Sequence, residues 1–164
     1  MSFFNRGNKP RLAIDSAEEL EKTFHQLIPI SKSMGVTVVD YTENSLTLGA
    51  PLLENINHQN SAFGGSLFSL SALTGWGILQ IQLSRFSLDC NTVVANATVN
   101  YSRPVFDDLR CTVELTENKQ KRFEELLETG SQVIDLDTRI ESRGEIAMTS
   151  TATYHIKMLQ ADRP

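Results

Sequence analysis

The sequence predicts an α+β domain, with an antiparallel sheet curled around one long apolar helix and a further helix ahead of it. Three observations predict this. Residues 55–84 contain no Asp, Glu, Lys or Arg and are mostly apolar over their second half, and a helix that is apolar on all sides must be enclosed. The segments flanking that run alternate polar and apolar residues, the period of half-buried strands. Those strands follow one another through short turns, which builds antiparallel pairs rather than parallel ones.

Taken in order, residues 1–14 read as a loose arm on a single domain spanning 1–164. Ser16 and Glu19 form a capping box. Leu20, Phe24, Leu27 and Ile28 then recur at helical spacing until Pro29 ends the pattern. His25 falls within this helix as a surface or boundary residue. Val36–Tyr41 and Ser45–Ala50 read as a hairpin turned by Thr42-Glu43-Asn44. Pro51 stops the second strand, and a polar loop leads to Phe63-Gly64-Gly65-Ser66, where the long helix begins. After it, Thr92–Tyr101 alternates, with Val93, Ala95, Ala97, Val99 and Tyr101 predicted on one face. Leu109, Cys111, Val113 and Leu115 alternate again. Glu117–Glu128, followed by Gly130, reads as an exposed helix with a glycine C-cap or, alternatively, a long hairpin arm. Val133–Glu141 and Glu145–Met158 are the last strands, turned by Ser142-Arg143-Gly144, with Ile146, Met148, Ser150, Ala152, Tyr154 and Ile156 predicted to share a face. One long helix inside such a sheet is a hotdog architecture.

Composition removes several functions. A net charge of −5 with no basic stripe argues against nucleic acid as a partner. Cys90 and Cys111 are the only cysteines and have no His cluster beside them, so no metal and no cofactor is expected. A cytoplasmic location follows as the default from this cysteine usage and an N-terminus unlike a signal peptide. Ala62–Leu79 is long enough to be weighed as a membrane span, but Ser66, Ser69, Ser71, Thr74 and the glycines within it, together with the amphipathic strands downstream, favour burial in protein.

The stretch Asn57-His58-Gln59-Asn60-Ser61-Ala62-Phe63-Gly64-Gly65-Ser66 resembles the loop and helix start of hotdog-fold thioesterases. More closely, NINHQNSAFGGSLFSLSALTGW resembles the putative thioesterase family typified by the YiiD C-terminal domain. The resemblance implies an Asn six positions ahead of a His-Gly-Gly, a glycine N–H that polarises the thioester carbonyl, and an acid further along the helix. Asn57 is similar to that Asn and Gly65 to that glycine, and these two are the catalytic candidates. Phe63 stands where the His is expected, and Ala72 where the acid is expected. Asn55, His58, Phe63, Gly64, Ser66, Ser69 and Arg103 are candidate substrate contacts, with Arg103 a candidate clamp for a phosphate of coenzyme A or for a pantetheine arm, or else a surface arginine.

The implied substrate is an acyl thioester of coenzyme A or acyl carrier protein. Hydrolysis needs water activation as well as an oxyanion donor, and His58 is the only titratable side chain in the loop. The same family resemblance also implies malonyl-carrier-protein decarboxylation, which needs an oxyanion hole but no general base. A non-catalytic acyl-thioester binder is the third reading. Hotdog subunits usually pair, which implies a homodimer or dimer of dimers, with Thr92–Tyr101 as the candidate seam.

Overall fold

The computed structural model describes residues 12–159. In chain order these form α1 (Ala17–Leu27), α2 (Pro29–Ser33), β1 (Thr37–Tyr41), β2 (Ser45–Ala50), α3 (Gly64–Arg85), β3 (Cys90–Tyr101), β4 (Leu109–Glu114), α4 (Glu117–Thr129), β5 (Ser131–Ser142) and β6 (Glu145–Met158), with one 3-10 turn at Leu53–Asn55. The six strands make one antiparallel sheet in the order β1-β2-β4-β5-β6-β3. It curls around α3, as the apolar run required, and the hotdog reading holds.

The expected arm over 1–14 lies mostly outside the described residues, but its last part is not loose. Ile14 is buried and its N–H donates to Ser84 Oγ at 3.2 Å, while Ser84 Oγ donates to the Leu12 carbonyl. Ser16 caps α1 by accepting from the Glu19 N–H at 3.2 Å, and Leu20 and Phe24 bury its apolar face. Pro29 ends that pattern and also starts α2 as its first residue, where a missing N–H costs nothing. Two side chains tie α1 to the sheet entrance. Glu21 Oε2 accepts from the Val38 N–H at 2.9 Å, and His25 Nε2 donates to the Val36 carbonyl at 2.8 Å.

Three strand expectations are corrected. In β3 the pairing with β6 slips between Val94 and Asn96, so Ala95 is a bulge. A bulge reverses side-chain phase. Val94, opposite Tyr154, therefore turns toward α3, whereas Val93, opposite His155, lies on the outer face at 58% exposure. Ala97, Val99 and Tyr101 oppose Ala152, Ser150 and Met148, which are buried, and keep the predicted phase. In β6 a second slip opposite Ile140/Glu141 leaves Ile146 47% exposed and buries Ala147 in its place. The β5–β6 turn follows Arg143 and Gly144, both at positive φ of 52° and 77°, the geometry a two-residue hairpin prefers.

Of the two readings of 117–128, the helix is correct. Thr116 caps α4, Phe123 and Leu126 bury one face, and Gly130 closes it at φ 71°. Inside the sheet α3 is packed so closely that two of its glycines have no room for a side chain. A Cβ on Gly75 would lie 2.2 Å from Tyr154 Oη, and one on Gly77 would lie 2.6 Å from Leu46 Cδ2.

Candidate functional site

The loop ahead of α3 is a miniature hairpin. Ile56 bridges Ala62, the Asn57 N–H donates to the Ser61 carbonyl at 2.8 Å, and Asn60 turns the tip at φ 60°. The Asn57 side chain holds its centre. Its Oδ1 accepts from the Gln59 N–H at 2.8 Å and the Ser61 N–H at 3.3 Å, and its Nδ2 donates to Ser61 Oγ at 3.1 Å. Asn57 is thus engaged within its own loop. Asn55 anchors the loop base: it is 2% exposed and donates through Nδ2 to the carbonyls of Met34 and Pro51 at 2.9 and 2.8 Å. Its backbone carbonyl accepts from the Phe63 N–H at 2.7 Å, which fixes the start of α3. His58 is exposed at the loop surface.

Phe63 is the N-cap of α3 and, having no polar side chain, supplies no cap hydrogen bond. The N–H groups of Gly64, Gly65 and Ser66 are therefore the orphan donors of the helix, at the positive end of its dipole. A Cβ on Gly65 would lie 2.3 Å from the Phe63 ring, which is 57% exposed and would have to swing toward solvent to admit it. Tyr101, at the end of β3, lies against Gly64 and donates its hydroxyl to the Gly64 carbonyl at 3.0 Å. A shallow depression of about 330 Å³ opens here, lined by Ala62, Gly64, Leu67, Tyr101, Ser102, Arg103 and Pro104. Arg103 stands at its rim, ion-paired with the exposed Glu145.

Ser69 lies one turn beyond Gly65 on the same helix face. With Ala72, Leu73 and Trp76 from α3, Ile28 and Ile30 from α2, Val94 and Tyr154, it lines a cleft of about 280 Å³. This lining is apolar apart from two hydroxyls. Tyr154 donates its hydroxyl to the Ala72 carbonyl at 3.1 Å, and burial raises its pKa, so it stays a neutral phenol. Ala72 stands where the resemblance leads one to expect an acid, and no described residue lining this cleft or the depression beside Gly64 is a carboxylate. The larger concavity of about 770 Å³, lined in part by Arg122, Val133 and His155, shares no residue with either.

The structure thus brings Gly64, Gly65, Ser66, Phe63, Ser69 and Arg103 to one end of α3, with Asn55 and Asn57 behind them as loop supports. Sequence reasoning singled out Ser69 and Ala72 but not Ile28, Ile30, Leu73, Trp76, Val94 or Tyr154 as cleft residues. The helical spacing of Gly65, Ser69, Ala72 and Trp76 was the available signal. The α2 wall and the bulge that turns Val94 inward had none.

Comparison with known proteins agrees with this geometry. The structure superimposes on the crystal structure of a putative thioesterase from Shewanella oneidensis with a TM-score of 0.78 and 25% identity, covering 87% of this chain and 97% of that one. A protein of unknown function from Chlorobaculum tepidum is similar at a TM-score of 0.81 and 26% identity, covering 90% and 98%. A thioesterase from Haemophilus influenzae shares the fold at a TM-score of 0.67 with 15% identity, covering 91% and 95%. The family described as putative thioesterase, of the YiiD C-terminal type, matches residues 17–158. Matched over most of its length, the chain belongs to the YiiD C-terminal putative thioesterase family.

Proposed function

We propose that the protein hydrolyses acyl thioesters presented by coenzyme A or acyl carrier protein. What supports this reading is the uncapped amino end of α3 lying one helical turn before Ser69, where an apolar cleft begins on the same helix face. The thioester oxygen accepts from the Gly65 N–H as negative charge develops on it, and the acyl chain lies along Ser69 and Ala72. Removing one such donor typically costs about a hundredfold or more in rate. Asn57 keeps the loop, and so the donors, in place. Water attacks the carbonyl carbon, the tetrahedral oxyanion collapses, and the thiolate leaves. His58 is the loop's titratable side chain and the candidate to take the proton from water. With no carboxylate in the cleft lining, turnover is expected to be slow.

That same lining favours a second reading, decarboxylation of a malonyl thioester. The electrons of the bond to the departing CO2 pass into an enolate whose oxygen rests on the Gly65 N–H, and the carbon then takes a proton from solvent. No general base is required. Mass spectrometry of the protein incubated with acyl and malonyl thioesters of coenzyme A and of carrier protein separates the readings. Free thiol is the expected product. Acetyl thioester without free thiol establishes the second reading, and binding with neither product reduces the protein to a thioester-binding module.

β3 is an edge strand with Val93, Val94 and Tyr101 exposed, and an unpaired long strand favours association. A homodimer joined along β3, or a dimer of such dimers, accords with this, and a monomeric mass by light scattering at micromolar concentration refutes it. Among the described residues no helix is long and apolar enough to cross a membrane.

A further inference from the structure

One face of α3 is left open between the α1–α2 pair and β3, and Ser69, Ala72, Trp76, Gln80 and Leu83 line it at helical spacing. Two cavities lie along it. The upper, of about 280 Å³, is the apolar cleft beyond Gly65. The lower, of about 440 Å³, is lined by Leu27, Gln80, Leu83, Leu88 and Thr92 among others. Trp76 lines both and is the α3 residue standing between them. Its ring is braced by the fully buried Phe24 of α1, with ring centroids 5.7 Å apart and planes tilted by 51°. The character of the lining changes across it. Above Trp76 the walls are apolar apart from the Ser69 and Tyr154 hydroxyls. Below it, Gln80 Nε2 donates to Thr92 Oγ1 at 3.0 Å, and Asp89 and Asn91 join the lining.

We propose that Trp76 is the stop that sets acyl-chain length. This rests on the thioester reading of the Gly65 end. Gly65 and Trp76 are eleven residues apart on α3, about 16 Å along the axis. Helical side chains lean toward the amino end by roughly one turn, which brings the indole to about 11–16 Å from the oxyanion donor. An extended chain advances roughly 1.3 Å per methylene, from a C–C bond of about 1.5 Å. The upper cleft therefore accommodates about eight to twelve carbons, and a longer chain meets the indole edge. Removing the ring joins the two cavities, and each further methylene that reaches apolar wall strengthens binding by about fourfold.

The test uses the full chain with two opposed variants, Trp76→Ala to open the partition and Ala72→Leu to fill the upper cleft. Straight-chain acyl-coenzyme A substrates of four to sixteen carbons are assayed for kcat/KM. The matching non-hydrolysable thioethers are assayed for Kd by calorimetry. The parent is expected to peak at medium chains, Trp76→Ala to move the peak about four carbons longer, and Ala72→Leu to move it shorter. If Trp76→Ala does not fold, Trp76→Phe, which keeps a smaller ring on Phe24, carries the same expectation at about half the shift. A parent length optimum that both variants leave in place overturns this inference and spares the thioester reading. A parent that neither binds nor turns over any member of either series, whether the chain is carried by coenzyme A or by acyl carrier protein, overturns both.

Discussion

Gly75→Ala tests the packing that positions α3, and its effect can be worked out from the structure. In an isolated helix the change is stabilising by about 1 kcal/mol, because alanine has the higher helix propensity. Here the new Cβ would lie 2.2 Å from Tyr154 Oη and 2.8 Å from its Cζ. Tyr154 is 2% exposed and its hydroxyl is bonded to the Ala72 carbonyl at 3.1 Å, so the ring's one retreat, toward the cleft it lines, breaks that bond. Overpacking of this kind costs about 1–3 kcal/mol. Breaking the hydroxyl's buried hydrogen bond adds about 1–3 kcal/mol. Together they outweigh the propensity gain, for a net loss of about 1–5 kcal/mol, or roughly 3–15 °C in Tm for a chain of this size. Urea unfolding at fixed protein concentration should show a lower midpoint with an unchanged slope. In a Tyr154→Phe background the closest clash is gone, so the same glycine change should cost less. A Gly75→Ala protein as stable as its parent, or an equal loss in both backgrounds, would refute the reasoning.

Three further outcomes are expected. Asn57→Ala removes the side-chain bonds that hold the loop to the Gln59 and Ser61 N–H groups, and should lower kcat/KM about a hundredfold or more while the fold survives; full retained activity on the panel above would show that Asn57 does not serve the site. Arg103→Ala breaks only an exposed ion pair with Glu145, worth under about 1 kcal/mol of stability, but if Arg103 clamps a phosphate it should raise KM about tenfold for coenzyme A thioesters and leave pantetheine thioesters, which lack that phosphate, unchanged. Burial pushes the Cys111 thiol up to about 11 from 9.0; the folded state thus keeps a proton that the unfolded chain loses, so this contribution is complete below about pH 9 and is lost as pH rises toward 11. Cys111 should resist thiol reagents at pH 8 until the protein unfolds, and rapid native-state labelling at that position would contradict its burial.

How much of this was legible can be seen residue by residue. The capping box at Ser16, the glycine closing α4, the Arg143-Gly144 turn and the charge-free run of α3 are local signals, and each appears in the structure where the sequence placed it. The site was half legible. Gly64-Gly65 at an uncapped helix start can be read from spacing and resemblance, as can the absence of an acid at Ala72. That Asn57 bonds its own loop is a local signal, since its partners Gln59 and Ser61 lie two and four residues on. That Asn55 fastens the loop to Met34 cannot be read from spacing, because that partner is set by how the chain returns on itself.

By itself the sequence determined that one helix must be enclosed and that strands of period two must do the enclosing. Burial and alternation are properties of neighbouring residues, so a linear reading captures them. Tertiary structure alone decided which residues meet along the open face of α3. The Ala95 bulge reverses the phase of β3 and turns Val94 inward, α2 brings Ile28 and Ile30 alongside, and Phe24 fixes the plane of Trp76. Each of these depends on a register or contact between segments far apart in the chain, where a shift of one residue changes which side chain faces the cleft.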